Sequence, residues 1–233
     1  MLGLNQLLDD RNRKLYQEVS RAAKLELNPT SCKCYGCFSK GPVNRIDIPI
    51  NQPPSPSSFA HELLHAKLNV KSAHISFKLG VSGSVILSKV VSDNLCDHLN
   101  NVLQHRKMFP EFLALGYQEG EFLSDAHEIL LDEVGALNIA ADCAKRTAAE
   151  IDFFIGKYMA ARCSLFSFHD YSKPLAILRA SEPRLTEIME VLVSSWDAYD
   201  PDREGDLDAV SHFEIEYNFL SDLEDWLNSQ KII

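Results

Sequence analysis

The pattern His61-Glu62-Leu63-Leu64-His65 constrains this chain more than any other stretch of its sequence. Two histidines four residues apart lie on the same face of an α-helix, one turn from each other, so both imidazoles can reach one metal ion. The glutamate beside the first histidine is then placed to take a proton from a water molecule that the metal activates. The pattern therefore predicts a helix with His61 and His65 as metal ligands and Glu62 as a general base.

The residues around the motif favour a helix over its whole length. Ser55 is a preferred N-cap residue, and Pro56 suits the first helical position. Four apolar residues follow with the spacing of one helix face: Phe59, Leu63, Ala66 and Val70. The alternative is an amphipathic helix whose His-Glu pair only faces solvent. The helix start favours the metal site, because the chemistry requires the motif to be helical.

The composition is that of a globular chain with a sizeable core. The sequence has 233 residues, 45% of them hydrophobic, which suits one domain or one domain with an appended subdomain. No run of about 18 apolar residues predicts a membrane span, and the first residues lack the pattern of a secretory leader. The six cysteines then predict free thiols in a reducing cytoplasm.

The charge of the chain is negative overall and uneven along the sequence. The formal net charge of -10 argues against nucleic-acid binding. Residues 11–45 nevertheless hold eight Lys or Arg against two acids, whereas residues 182–228 hold fourteen acids against two Arg. These segments are interpreted as two solvated faces that attract each other, with a basic patch for an anionic partner as the alternative.

The periodicity predicts a predominantly helical α+β fold with a small sheet. Residues 45–50 alternate as a half-buried strand, and Pro49 places this strand at a sheet edge. Residues 28–42 read as a loop, and residues 71–91 as a hairpin or an irregular segment. Pro110 is expected to open a short separate helix. The other predicted helices cover residues 4–26, 92–107, 119–163, 173–199 and 207–228.

A catalytic zinc site needs a third protein ligand from outside the motif. His105 is the first choice, because it lies near the end of the predicted helix 92–107, where Asn101 one turn earlier could orient its ring. Three alternatives remain open at this point. They are Asp97 and His98 on the same helix, and Glu133, which would make a His₂Glu site.

Three cysteines in six residues raise the question of a second metal site. Cys32, Cys34 and Cys37 could bind a structural zinc, but such a site needs a fourth ligand, usually from a second cysteine pair. The other cysteines form no such pair. Free loop thiols are the favoured interpretation, with a structural zinc as the alternative.

The motif and its neighbours resemble the zincin metallopeptidases. The resemblance rests on residues 61–65 with the flanking Ala60 and Ala66, and on the strand at 45–50, since in that clan a strand beside the active-site helix lines the substrate cleft. The segment 101–117 resembles uncharacterised bacterial HExxH proteins. No Gly-x-x-His follows His65, as metzincins require, and the thermolysin-like Asn-Glu-x-x-Ser-Asp is missing as well.

The resemblance implies one Zn²⁺ per chain, held by His61, His65 and the third ligand, with Glu62 as general base in the hydrolysis of a peptide or protein. It also implies a zincin-like core over residues 1–120, completed by a helical portion over residues 121–233. The alternative function is a regulatory or binding module that keeps the fold without general turnover. The intact Glu62 favours catalysis, because a structural metal site has no need of a base.

Overall fold

The computed structural model describes residues 3–40, 43–71, 75, 77–206 and 209–232. It is mostly helical (62%) with one three-stranded mixed sheet, which confirms the predominantly helical α+β class. The strands are β1 (Lys24–Thr30), β2 (Gly36–Lys40) and β3 (Val43–Pro49). The helices are α1 (Arg13–Ala22), α2 (Pro56–Val70), α3 (Phe77–Ser82), α4 (Val85–Val90), α5 (Asp93–Ala114), α6 (Glu133–Cys143), α7 (Ala148–Arg162), α8 (Ser172–Ser181), α9 (Pro183–Ala198) and α10 (His212–Ser229).

The chain forms two compact units that interleave along the sequence. The first unit contains Met1–His74 and Lys107–His127, and the second contains Ile75–Arg106 and Glu128–Ile233. Helix α5 contributes residues to both. The sequence-based division at residue 120 is sequential, whereas these units are not. Within the described residues, every helix is too short or too polar to cross a membrane.

The sheet of the first unit has the order β1-β3-β2, with β1 parallel and β2 antiparallel to β3. The strand predicted at 45–50 is therefore present, but its placement at a sheet edge was wrong. Pro49 is the last residue of β3 and pairs with Thr30. The next backbone bond comes from the Ile50 N–H to the Thr30 carbonyl (2.9 Å). A proline at the end of a strand removes no bond from the ladder, so it does not exclude a central strand.

Strands β1 and β2 replace the predicted end of a long first helix and the predicted loop at 28–42. Helix α1 already ends at Ala22. The residues that follow alternate in exposure, with Leu25 and Leu27 less exposed than Lys24 and Glu26. This period of two was the available signal for β1. Strand β2 is only five residues long and gave no comparable pattern.

The motif lies on α2, which starts where the sequence predicted. The Ser55 side chain accepts a hydrogen bond from the Ser58 N–H (3.1 Å), and Pro56 is the first helical residue. The helix is buried around most of its circumference, because α1 and the sheet both pack against it. Of the predicted apolar face, Phe59, Leu63 and Ala66 are buried, whereas Val70 near the helix end is exposed.

A buried asparagine fixes the beginning of α2. The Asn12 side chain is fully buried and donates to the Pro56 carbonyl (3.0 Å) and to the Leu7 carbonyl (2.9 Å). The Tyr117 hydroxyl lies 3.3 Å from the same Pro56 oxygen and 3.0 Å from the Asp9 carboxylate. Buried polar groups that are satisfied in this way set one geometry for the segment they hold.

Two predictions about helix boundaries were wrong, one in each unit. Residues 77–90 of the second unit contain the short helices α3 and α4 instead of the hairpin or irregular segment expected over 71–91, of which residues 72–74 and 76 lie outside the described residues. Helix α5 runs through Pro110, which lies inside it. Tertiary packing explains this continuity, because Phe109 and Phe112 on either side of the proline are both buried. The free energy of burying these rings offsets the loss of the one backbone hydrogen bond that Pro110, which has no N–H, cannot donate.

One carboxylate links three helices of the second unit. Glu190 on α9 accepts hydrogen bonds from Tyr158 (2.5 Å) and Arg162 (2.8 Å) on α7 and from Arg179 (2.6 Å) on α8. Burial alone would raise the pKa of Glu190, but the hydrogen bonds from these three side chains outweigh it and lower the pKa below its ordinary value. The ionised carboxylate therefore stabilises the folded unit.

We expect Glu190→Gln to lower the free energy of unfolding by about 1–2 kcal/mol at pH 7, because charge-assisted hydrogen bonds to a partly buried group are lost. Since the pKa of Glu190 is lower in the folded than in the unfolded chain, its contribution is present above the ordinary glutamate pKa. This contribution to stability is lost as the pH falls through the folded-state pKa of Glu190.

Urea unfolding of the wild-type and Glu190→Gln chains at pH 7 and near pH 3 measures the difference in their free energies of unfolding. Glu187→Gln is the matched control on the same helix, since its exposed pair with Arg184 should contribute little. If Glu190→Gln lowered the free energy of unfolding equally at both pH values, the prediction would be contradicted.

Candidate metal centre

Helix α2 brings the two motif histidines together. The Nε2 atoms of His61 and His65 lie 3.2 Å apart, and the ring centroids are separated by 4.9 Å. Two nitrogens that bind one tetrahedral zinc at about 2.0–2.1 Å are themselves about 3.3 Å apart. The observed spacing of the two Nε2 atoms therefore fits a shared metal ion.

His105 is the residue that joins this pair. It lies on α5, two residues before Lys107, where that helix enters the first unit. The metal-ligating atoms of His61, His65 and His105 all lie within 4.8 Å of one another. The three residues are 7%, 9% and 7% exposed. The predicted ligand set is therefore the one that the structure assembles, and this group could hold a metal ion.

The alternative third ligands lie elsewhere. Asp97 is exposed and forms an ion pair with Lys78 (2.8 Å). His98 lies with its Nε2 3.2 Å from the Gly156 carbonyl oxygen, and burial lowers its pKa. Glu133 is exposed at the start of α6 and pairs with Lys173 (3.3 Å). Among the described residues, none of the three belongs to a group with metal-ligand spacing.

The orienting role predicted for Asn101 is not supported. Asn101 is exposed on α5, and none of its described hydrogen bonds reaches His105. The residue that sequence reasoning missed is Phe122. Its ring lies 4.6 Å from the His61 ring between centroids, and Phe109 and Phe112 pack edge-on against it at 5.1 and 5.0 Å. These rings form an apolar wall beside His61, which limits the access of water from that side.

Glu62 is buried beside the sheet. It is 6% exposed, and its carboxylate accepts a hydrogen bond from the backbone N–H of Cys37 on β2. Burial raises the pKa of Glu62 to about 8, and the Cys37 N–H opposes this shift by favouring the carboxylate. No sequence pattern pointed to the Cys37 contact, because it depends on how β2 packs against α2.

Among the described residues, the cysteines are not gathered with the spacing of metal ligands. Cys32 and Cys34 are exposed, and Cys37 is half-buried. Burial, together with the nearby Glu62, raises the pKa of the Cys37 thiol to about 12, which disfavours the thiolate that binds zinc. Within the part of the chain that the structure describes, the three histidines are the one group with metal-ligand spacing, and all six cysteines are free thiols.

Comparisons with known proteins found no relative. No family model matches the sequence, and no curated protein or solved structure matches the chain at a significant level.

Proposed function

We propose that this chain is a zinc-dependent hydrolase, most simply a peptidase, in which His61, His65 and His105 hold the metal and Glu62 is the general base. The observation that carries the proposal is the group of three buried imidazoles whose ligating atoms lie within 4.8 Å of one another. Two of the three, His61 and His65, lie on α2, which also carries Glu62, and this supports hydrolysis over simple metal storage.

The chemistry of the donor set fits Zn²⁺. Imidazole nitrogen suits zinc among several first-row metals, and three protein ligands leave the fourth tetrahedral position for water or substrate. A structural zinc site would be closed by four ligands and is commonly rich in thiolates. Three histidines with no thiolate in the group match the open, catalytic type of site.

When zinc is bound here, it lowers the pKa of a water molecule and polarises a substrate carbonyl. Glu62 follows the first ligand directly and would accept the proton of the attacking water, then donate it to the leaving amine. The backbone N–H of Cys37 favours the carboxylate form of Glu62, which is the form that can accept a proton. The rings of Phe122 and Phe109 exclude water from one side of His61, which strengthens the electrostatic interactions of the site.

One observation favours a second candidate, a zinc-binding regulatory module that turns over no general substrate. Glu62 is 6% exposed, and its carboxylate already accepts a backbone hydrogen bond. A base that is held and covered in this way needs the substrate to approach along a restricted path. A peptide or protein substrate is proposed only from the resemblance of residues 61–65 to the zincins.

Metal analysis tests the proposed site directly. We expect about one zinc per purified chain by mass spectrometry of the metal, and a fall in the melting temperature when a chelator removes it. The fall follows because an ion that binds only the folded chain stabilises it in proportion to the logarithm of its concentration over Kd. Adding back Zn²⁺ should restore the melting temperature. Protein that carries no zinc and cannot be reconstituted with it would exclude the proposal.

A further inference from the structure

Tyr117 reaches the beginning of the motif helix through its hydroxyl group. The side chain is buried (3% exposed) in the first unit, three residues after α5 ends. The hydroxyl oxygen lies 3.3 Å from the carbonyl oxygen of Pro56 and 3.0 Å from the Asp9 carboxylate. Pro56 is the first residue of α2, the helix that carries His61. One end of Tyr117 therefore contacts the backbone from which this histidine projects.

The ring of Tyr117 is held in one place by its neighbours. It stacks on the Phe112 ring, with 4.9 Å between the centroids and 24° between the planes. The guanidinium carbon of Arg11 lies 3.9 Å from the Tyr117 centroid, and the same guanidinium group binds the Asp9 carboxylate at 2.7 Å. Ring stacking and a cation near an aromatic face are both attractive. Together with the hydroxyl contacts, they restrict the ring to a single orientation.

Two further ring contacts connect Tyr117 to the His61 imidazole. Phe112 packs edge-on against Phe122, with 5.0 Å between the centroids and 74° between the planes. Phe122 in turn lies 4.6 Å from the His61 ring. Phe112, Phe122 and His61 are all buried. Because a close-packed interior leaves little free space, a change in the position of one ring forces its neighbours to move.

We infer that Tyr117 is a positioning residue for His61 in the proposed metal centre. Its hydroxyl contacts the start of α2, and its ring supports the aromatic wall beside His61, so it acts on both the backbone and the imidazole of this ligand. Groups that orient a metal ligand contribute about 10–100-fold to metal affinity. The inference rests on the metal-binding part of the proposed function and does not depend on hydrolysis.

Zinc affinity and the spectrum of bound cobalt test this role in the full-length chain. We expect Tyr117→Leu to weaken zinc binding about tenfold in competition with a chromophoric chelator, because Phe112 and Phe122 repack into the vacated space. The visible absorption bands of Co²⁺ bound in place of Zn²⁺ depend on the geometry of its ligands and should shift in this variant.

The conservative variant Tyr117→Phe should keep the zinc affinity within about threefold of the wild-type value, because its ring preserves the stack on Phe112. It leaves no buried acceptor without a donor, since Asn12 still donates to the Pro56 carbonyl and Arg11 still donates to the Asp9 carboxylate.

Tyr16→Leu is the matched control. The Tyr16 ring lies on α1 and contacts the Phe59 ring of α2, with 6.2 Å between the centroids. This variant therefore removes a ring that packs against the same helix, but it leaves the contacts of Tyr117, Phe112 and Phe122 in place. It should lower the melting temperature, as Tyr117→Leu does, while the zinc affinity and the cobalt spectrum stay at their wild-type values.

Wild-type zinc affinity with an unchanged cobalt spectrum in Tyr117→Leu would overturn the inference, and so would equal changes in Tyr16→Leu. If Tyr117→Leu does not fold, Tyr117→Met replaces it, because the longer, flexible side chain fills more of the space. Unfolding of both variants would also overturn the inference, since Tyr117 would then be purely structural. A wild-type chain that binds neither metal would exclude the metal centre itself, so failure of the inference and failure of the proposed function give different results.

Discussion

Replacing Glu62 by glutamine is expected to abolish hydrolysis while the protein keeps its zinc. Glutamine has nearly the same shape but cannot accept a proton, so general base catalysis is lost, whereas His61, His65 and His105 are untouched. Loss of a positioned base typically costs 10²–10⁴-fold in rate, so we expect a fall of at least about 100-fold. The measurement is the cleavage of a mixed peptide library followed by mass spectrometry, with zinc content determined on the same samples.

The matched control for this experiment is Glu18→Gln. It removes one carboxylate from α1, which packs against α2, without touching the histidine group. The Glu18→Gln variant should keep its zinc and its peptidase activity. Burial disfavours the charged form of Glu62, so Glu62→Gln should not lower the melting temperature.

If the wild-type chain cleaves peptides and Glu62→Gln cleaves them equally well, the assigned base is wrong. If the wild-type chain binds zinc but cleaves no member of the library, the regulatory module becomes the better proposal.

Removing the imidazole of His105 is expected to weaken zinc binding by more than 100-fold. Residues that only support a metal ligand already contribute 10–100-fold to affinity, and a ligand itself contributes more. Competition with a chromophoric chelator measures the affinity. Because His105 is buried, His105→Gln is used alongside His105→Ala, since the larger side chain fills more of the space and limits the loss of packing.

His98→Ala is the matched control, because it makes the same change on the same helix seven residues earlier. His98 contacts the Gly156 carbonyl and is absent from the histidine group, so this variant should retain wild-type zinc affinity. Asp97→Asn and Glu133→Gln should also retain it, since both carboxylates are exposed and paired with lysines. Loss of zinc in any of these three variants, with zinc kept in folded His105→Gln, would contradict the assignment of the third ligand.

The local structure around the motif could be predicted because its causes are local. A serine N-cap, a proline at the first helical position and two histidines one turn apart act within a single helix. The structure accordingly starts α2 at Pro56 and brings His61 and His65 to 3.2 Å between their Nε2 atoms. The edge position of the strand at 45–50 was wrong for a related reason. Pro49 restricts hydrogen bonding only at its own position, and the sequence does not show which strands will pair around it.

The sequence by itself predicted the motif helix, which the structure contains, and proposed two metal ligands, a base and a short set of alternatives for the third ligand. Among the described residues, only His105 of these alternatives is grouped with His61 and His65, although Asp97 and His98 lie on the same helix α5. The tertiary structure alone shows this. It also decided that Phe122 covers His61 and that the Cys37 N–H meets the Glu62 carboxylate. Contacts within one helix follow from a fixed rise and rotation per residue. Contacts between distant elements depend on the packing of the whole core, which no short pattern encodes.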